Sequence, residues 1–194
     1  MTAPGHHDVK PYQIADETFL ITWGLDAPPV GHFPMHSLLI RGKEPVLVDT
    51  GAPACREQWL ATVAALVDLT DVRWVFLSHD DRDHAGNLLP VLAACPNATL
   101  LTNWFSLGRM AEEWNTPLSR CRFVNDGDTV DVGDRMLVAV RPPLPVLRGR
   151  RIDEAFDLIR QLPALDPWRE FDQSDLDGWL AAAGTLSEPS TPAR

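Results

Sequence analysis

Seven consecutive residues, Ser78-His79-Asp80-Asp81-Arg82-Asp83-His84, constrain this chain more than any other stretch. Five of their side chains, those of His79, Asp80, Asp81, Asp83 and His84, carry groups that bind metals. An apolar run, Val72-Arg73-Trp74-Val75-Phe76-Leu77, comes first and reads as a buried strand. Ala85-Gly86-Asn87-Leu88-Leu89 follows and reads as the start of a helix. Imidazoles and carboxylates at the carboxyl end of an interior strand are where an α/β arrangement assembles a metal centre.

The donor types narrow the metal. Neutral imidazole with carboxylate oxygen suits zinc, iron or manganese, and without thiolate the set does not suit a purely structural zinc site. His79 and Asp81 lie two apart and can serve one ion, while Asp83 and His84 are adjacent and can serve a second beside it. Two ions a few Å apart clamp a bridging hydroxide that is deprotonated near neutral pH and attacks ester, thioester or amide carbonyls. The plain alternative is an acidic surface turn with two chance histidines. The strand before it and the Gly-Asn helix start after it weigh against that.

Composition excludes some partners. The net charge is −10, from 27 acidic and 17 basic residues, so the basic stripe of a nucleic-acid surface is missing. Cys55, Cys95 and Cys121 are odd in number and widely spaced, which fits neither structural disulfides nor a zinc knuckle. No apolar run approaches the ~20 residues of a spanning helix, and Met1 to Lys10 lacks the apolar core of a secretory signal. The expectation is a cytoplasmic protein with a small-molecule substrate, binding neither membrane nor nucleic acid.

The remaining pattern alternates strands and helices. Strands are predicted at Thr18–Trp23, Met35–Arg41 and Glu44–Asp49, the last two as a hairpin. Trp59, Leu60, Val63, Ala64 and Val67 recur at helical spacing and predict a helix over about residues 54–68. A helix over about 85–94, a strand at Ala98–Thr102 and a helical piece near 104–114 come next. Cys121–Val124 and Thr129–Val132 flank Asn125-Asp126-Gly127-Asp128, a turn signal, and Met136–Val140 closes the strands. Residues 150–162 look helical, with Ile152, Ala155, Phe156 and Ile159 on one face. Ser174-Asp175-Leu176-Asp177 fits a helix start. The expected organisation is a loose tail over 1–10 and one domain over 11–183, its C-terminal helices spanning 150–183, with a disordered tail over 184–194.

The segment Leu77-Ser78-His79-Asp80-Asp81-Arg82-Asp83-His84-Ala85-Gly86-Asn87 resembles the signature of the metallo-β-lactamase superfamily, Thr/Ser-His-x-His-x-Asp-His followed by a small residue and Gly. Val46-Leu47-Val48-Asp49-Thr50-Gly51 resembles the same superfamily's Leu-Val-Asp-Thr-Gly turn. The resemblance covers roughly residues 15–143. It implies an α+β fold, an αβ/βα sandwich whose N-terminal half is largely complete and whose second half is truncated. It implies two divalent metal ions, zinc or iron, with His79 and Asp81 on one, Asp83 and His84 on the other, and Asp83 also as catalytic proton acceptor. Asp49, Ser78 and His36 are implied to stand behind these ligands. Asp49 also reads as a plain turn former before Gly51, and His36 as a packed or surface histidine.

One departure changes the expected chemistry. Asp81 stands where the usual pattern has its second histidine, and a carboxylate there resembles the flavodiiron-type branch. Oxygen donors are harder than imidazole and shift preference towards iron or manganese. A metal-dependent hydrolase using a metal-bound hydroxide is the first reading. A diiron protein handling oxygen or nitric oxide is the second, and an inactive shortened member the third. The family completes its site with histidines further along, yet no histidine follows His84 here. The chain therefore reads as internally shortened, by deletion or by a faulty gene model. A homodimer sharing the uncovered sheet surface is the expected consequence.

Overall fold

A computed structural model describes residues 5–6, 8–27 and 31–140. The expected break at Ala27-Pro28-Pro29 lies partly outside these residues. So do the helices expected over 150–162 and from Ser174 onward, and the tail over 184–194.

Eight strands form one mixed sheet. They are β1 (Gly5–His6), β2 (Lys10–Ala15), β3 (Thr18–Ala27), β4 (Gly31–Ile40), β5 (Val46–Val48), β6 (Trp74–Phe76), β7 (Thr99–Thr102) and β8 (Cys121–Phe123). The order is β1-β3-β4-β5-β6-β7-β8, and β2 also pairs with β3. Pairing is antiparallel up to β5 and parallel from β5 to β8. Parallel neighbours need a crossover, which is supplied by α1 (Arg56–Ala64), by α2 (Arg82–Ala85) with α3 (Leu88–Ala94), and by α4 (Trp104–Trp114). The expected β4–β5 hairpin is present, with Leu38 opposite Val48.

The short parallel strands are apolar on both faces, as strands buried on both sides must be. Leu47, Val75 and Leu100 join the main core with Trp59, Val63, Leu88, Val91, Leu107 and Met110. Val46, Phe76 and Leu101 face the other way and pack with Val124, Val130 and Val132. That second cluster is covered by a two-stranded sheet of β9 (Thr129–Asp131) and β10 (Met136–Val138). The described residues thus give an α+β fold with helices on one sheet face and the beginning of a second β layer on the other.

One local expectation needs correction, and the strands on either side of the turn signal Asn125–Asp128 do not pair with each other. Instead β8 pairs in parallel with β7, and β9 pairs with β10. Phe123 belongs to the main core and Val130 to the second cluster, so packing sends the two strands to different sheets. The N-terminal stretch read as a tail supplies β1, whose Gly5 and His6 lie opposite Asp26 and Leu25, and β2 begins at Lys10.

Candidate metal centre

The centre forms where β5 and β6 end, at the carboxyl edge of the parallel strands. Asp49 follows β5 and Ser78 follows β6. Asp49 has φ 60°, in the left-handed region that Asp tolerates better than most residues. This backbone turns its carboxylate across to the neighbouring strand end. There Oδ1 accepts the Ser78 backbone N–H at 2.8 Å, and the Ser78 hydroxyl donates to Oδ2 at 2.8 Å. Oδ2 also lies 2.9 Å from His84 Nδ1. Asp49 is buried, so these bonds are what makes a carboxylate tolerable there. By holding Nδ1 of His84, Asp49 leaves Nε2 to bind a metal.

The motif is less of a loop than its sequence suggests. Asp81 begins a helical turn, its main-chain oxygen accepting from the N–H groups of His84 and Ala85 at 2.9 and 2.8 Å. That turn is α2, and it carries Asp83 and His84 side by side. Thr50 fixes its far end, because both its N–H (2.6 Å) and its hydroxyl (3.0 Å) donate to the His84 carbonyl. Asn87 is fully buried and donates to the carbonyls of Thr50 and Ala52, while its own oxygen accepts from Arg56. Neither Thr50 nor Asn87 was singled out from sequence. A polar residue directly after the Gly at a helix start was the available signal.

Ligand atoms of His79, Asp83 and His84 all lie within 4.8 Å of one another. The two imidazole rings are 4.3 Å apart between centroids. His84 Nε2 is 3.5 Å from Asp83 Oδ2, and His79 Nε2 is 3.6 Å from Asp81 Oδ2. Two imidazoles and a carboxylate at this separation fit one divalent ion of the zinc or iron type. Asp81 stands at the rim. Its side chain is 68% exposed and makes no capping bond to α2, so it stays free to lean towards His79.

The other expected residues fall as follows. Ser78 bridges Asp49 and His79 Nδ1, the latter at 2.8 Å. His36 is not brought to the cluster by any hydrogen bond or ion pair among the described residues. Strand alternation explains this: Met35 and Ser37 of β4 turn into the main core side and His36 turns away, exposed. Asp80, one of the five donors in the motif, is turned from the cluster towards Arg109.

Comparison with known proteins agrees with this geometry. Residues 30–102 match the model of the metallo-beta-lactamase superfamily. That segment is similar to the superfamily, and the match covers less than half of the chain. It contains both the Asp49 turn and the His79–His84 motif. Among curated relatives, a putative diflavin flavoprotein A 2 of Nostoc sp. is 35% identical over 98 residues, 50% of this chain and 17% of its own length. An anaerobic nitric oxide reductase flavorubredoxin of Salmonella typhi is 27% identical over 110 residues, 56% of this chain and 23% of its own. The rubredoxin oxygen:oxidoreductase of Desulfovibrio gigas superposes with a TM-score of 0.60 at 20% identity, covering 66% of this chain and 34% of that one. The chain therefore spans less than a quarter of the length of these curated relatives. Among the described residues, no helix is long and apolar enough to cross a membrane.

Proposed function

We propose that this chain carries part of an iron centre of flavodiiron type, one that handles oxygen or nitric oxide rather than hydrolysing a substrate. The observation that carries this reading is Asp81. A carboxylate replaces the usual imidazole beside His79, and the relatives sharing this segment are a diflavin flavoprotein and a nitric oxide reductase. Harder donors favour iron.

Iron bound here would supply one-electron chemistry towards a small gas. This chain's own residues do the rest. His79, Asp83 and His84 hold the ion, and Asp81 adds an oxygen donor from the rim. Asp49 keeps His84 in the tautomer with Nε2 free, and Ser78 does the equivalent for His79. Iron takes more donors than the roughly four that suffice for zinc, so a full diiron site draws ligands from beyond this set. The reducing electrons come from a flavin donor outside residues 1–194.

The experiment is reconstitution of the purified chain with Fe(II) or with Zn(II) under anaerobic conditions. Oxygen and nitric oxide uptake are followed with a chemical reductant, and thioester and β-lactam hydrolysis are followed in parallel. Gas consumption by the iron form without hydrolysis by the zinc form supports the proposal. Hydrolysis by the zinc form with an inert iron form sinks it and restores the hydrolytic reading, in which Asp83 accepts the proton.

A further inference from the structure

We infer that Arg109, acting through Asp80, is a positioning residue for the metal ligands on either side of Asp80. This rests on the metal reading above, but part of its test does not need a metal.

Asp80 sits between His79 and Asp81 in the chain, yet its carboxylate points away from the cluster. Its Oδ2 lies 3.0 Å from Nε of Arg109, and its side chain is only 11% exposed. On its other oxygen it accepts the Ser106 hydroxyl at 3.4 Å. Both partners belong to α4, whose first turn is itself fixed. Asn103 caps it by accepting the Ser106 N–H at 2.9 Å, and donates its own amide to the Ser106 hydroxyl at 3.2 Å. The Arg109 guanidinium lies over the Phe105 ring, 5.8 Å from its centroid.

The motif is thus held at three points. Asp49 grips its start at Ser78, Thr50 grips its end at His84, and α4 grips its middle at Asp80. The first and last anchors come from the turn after β5. The middle anchor comes from a different element and restrains the stretch between Ser78 and α2, where His79 and Asp81 lie. Without it His79 keeps only the Ser78 hydroxyl at Nδ1, and Asp81 only its main-chain place at the start of α2.

Charge makes the role testable by sign. Removing a cation beside a metal site strengthens metal binding on Coulombic grounds alone. Losing a positioning contact weakens it, by about 10–100-fold where such partners have been removed from metal sites. Arg109 is half exposed on a helix, so Ala there removes little packing and suits the helix better.

The test uses the full chain with Arg109→Ala and, as a second variant, Asp80→Asn. Cobalt(II) binding is followed by visible absorption. The imidazole nitrogen resonances of His79 and His84 are recorded without metal. The expected result is cobalt affinity about 10–100-fold lower in Arg109→Ala, with His79 resonances shifted or broadened and those of His84 kept. Unchanged or tighter cobalt binding together with an unmoved His79 spectrum overturns the inference. Should the wild-type chain bind no cobalt, the metal reading itself falls, and the metal-free His79 spectrum still decides whether Arg109 positions it. Asp80→Asn serves the same comparison should the Arg109 variant fail to fold.

Discussion

The Asp49 carboxylate holds Nδ1 of His84 at 2.9 Å while accepting both the backbone N–H and the hydroxyl of Ser78. One buried side chain therefore ties the end of β5 to both ends of the motif after β6. Asp49→Asn keeps the size and tolerates the same left-handed backbone, but it cannot accept from all these donors at once. Metal affinity should fall about 10–100-fold, measured by competition with a chromophoric chelator, with little change in the circular dichroism spectrum.

Trp59 links the core to this edge. It is fully buried, and its indole N–H donates to the Ser37 hydroxyl at 2.7 Å. The turn glycine Gly51 packs against the same ring. Trp59→Ala should lower unfolding free energy by about 3–5 kcal/mol. Trp59→Phe should cost about 1–3 kcal/mol, chiefly from stranding the Ser37 hydroxyl. Urea denaturation of the two variants reads both values.

Gly86 follows α2 with an ordinary helical φ, so its conformational freedom is not the issue. A Cβ there would overlap the Arg82 carbonyl and the Pro53 ring. Both neighbours belong to elements that support the site. Gly86→Ala should destabilise the fold by about 1–3 kcal/mol through overpacking and weaken metal binding with it, as thermal unfolding and a cobalt titration would show.

The three cysteines are free and buried, and burial raises the thiol of each. Cys95 is pushed up to about 11 and Cys121 to about 12, against an ordinary value of 9.0. Arg120 lowers both, but by less. The folded state therefore keeps these protons while the unfolded chain releases them above pH 9.0, so stability is intact below pH 9 and declines as pH rises towards 11–12. Alkylation at pH 8 should leave Cys95 and Cys121 unmodified until denaturant is added, as mass spectrometry of labelled protein would show.

Much of the fold was legible because burial and period coincide. The strand predicted over Val72–Leu77 is Trp74–Phe76, apolar on both faces, and the motif does sit at its carboxyl end. The helix near 104–114 is Trp104–Trp114, since its apolar face is strongly one-sided. Pairing was less legible. The turn at Asn125–Asp128 is real, but a local turn cannot say that Phe123 and Val130 are drawn to opposite sides of a sheet. In the site, identities were legible and directions were not. Asp80, Asp81 and Asp83 look alike in sequence. Only the start of a helical turn at Asp81 and the presence of Arg109 on α4 decide that Asp83 points to the histidines, Asp81 stands at the rim and Asp80 turns away. His36 read as near the site, and strand alternation turns it away from the main core, exposed.

A metal centre in this chain requires His79, Asp83 and His84 to grip a shared ion. Elemental analysis of chain purified after anaerobic iron loading, beside an Asp83→Ala, His84→Ala double variant, asks this directly. We predict bound iron in the wild type and nearly complete loss from the double variant, with both chains folded. Equal iron in the two, or none in either after loading, would contradict the central claim.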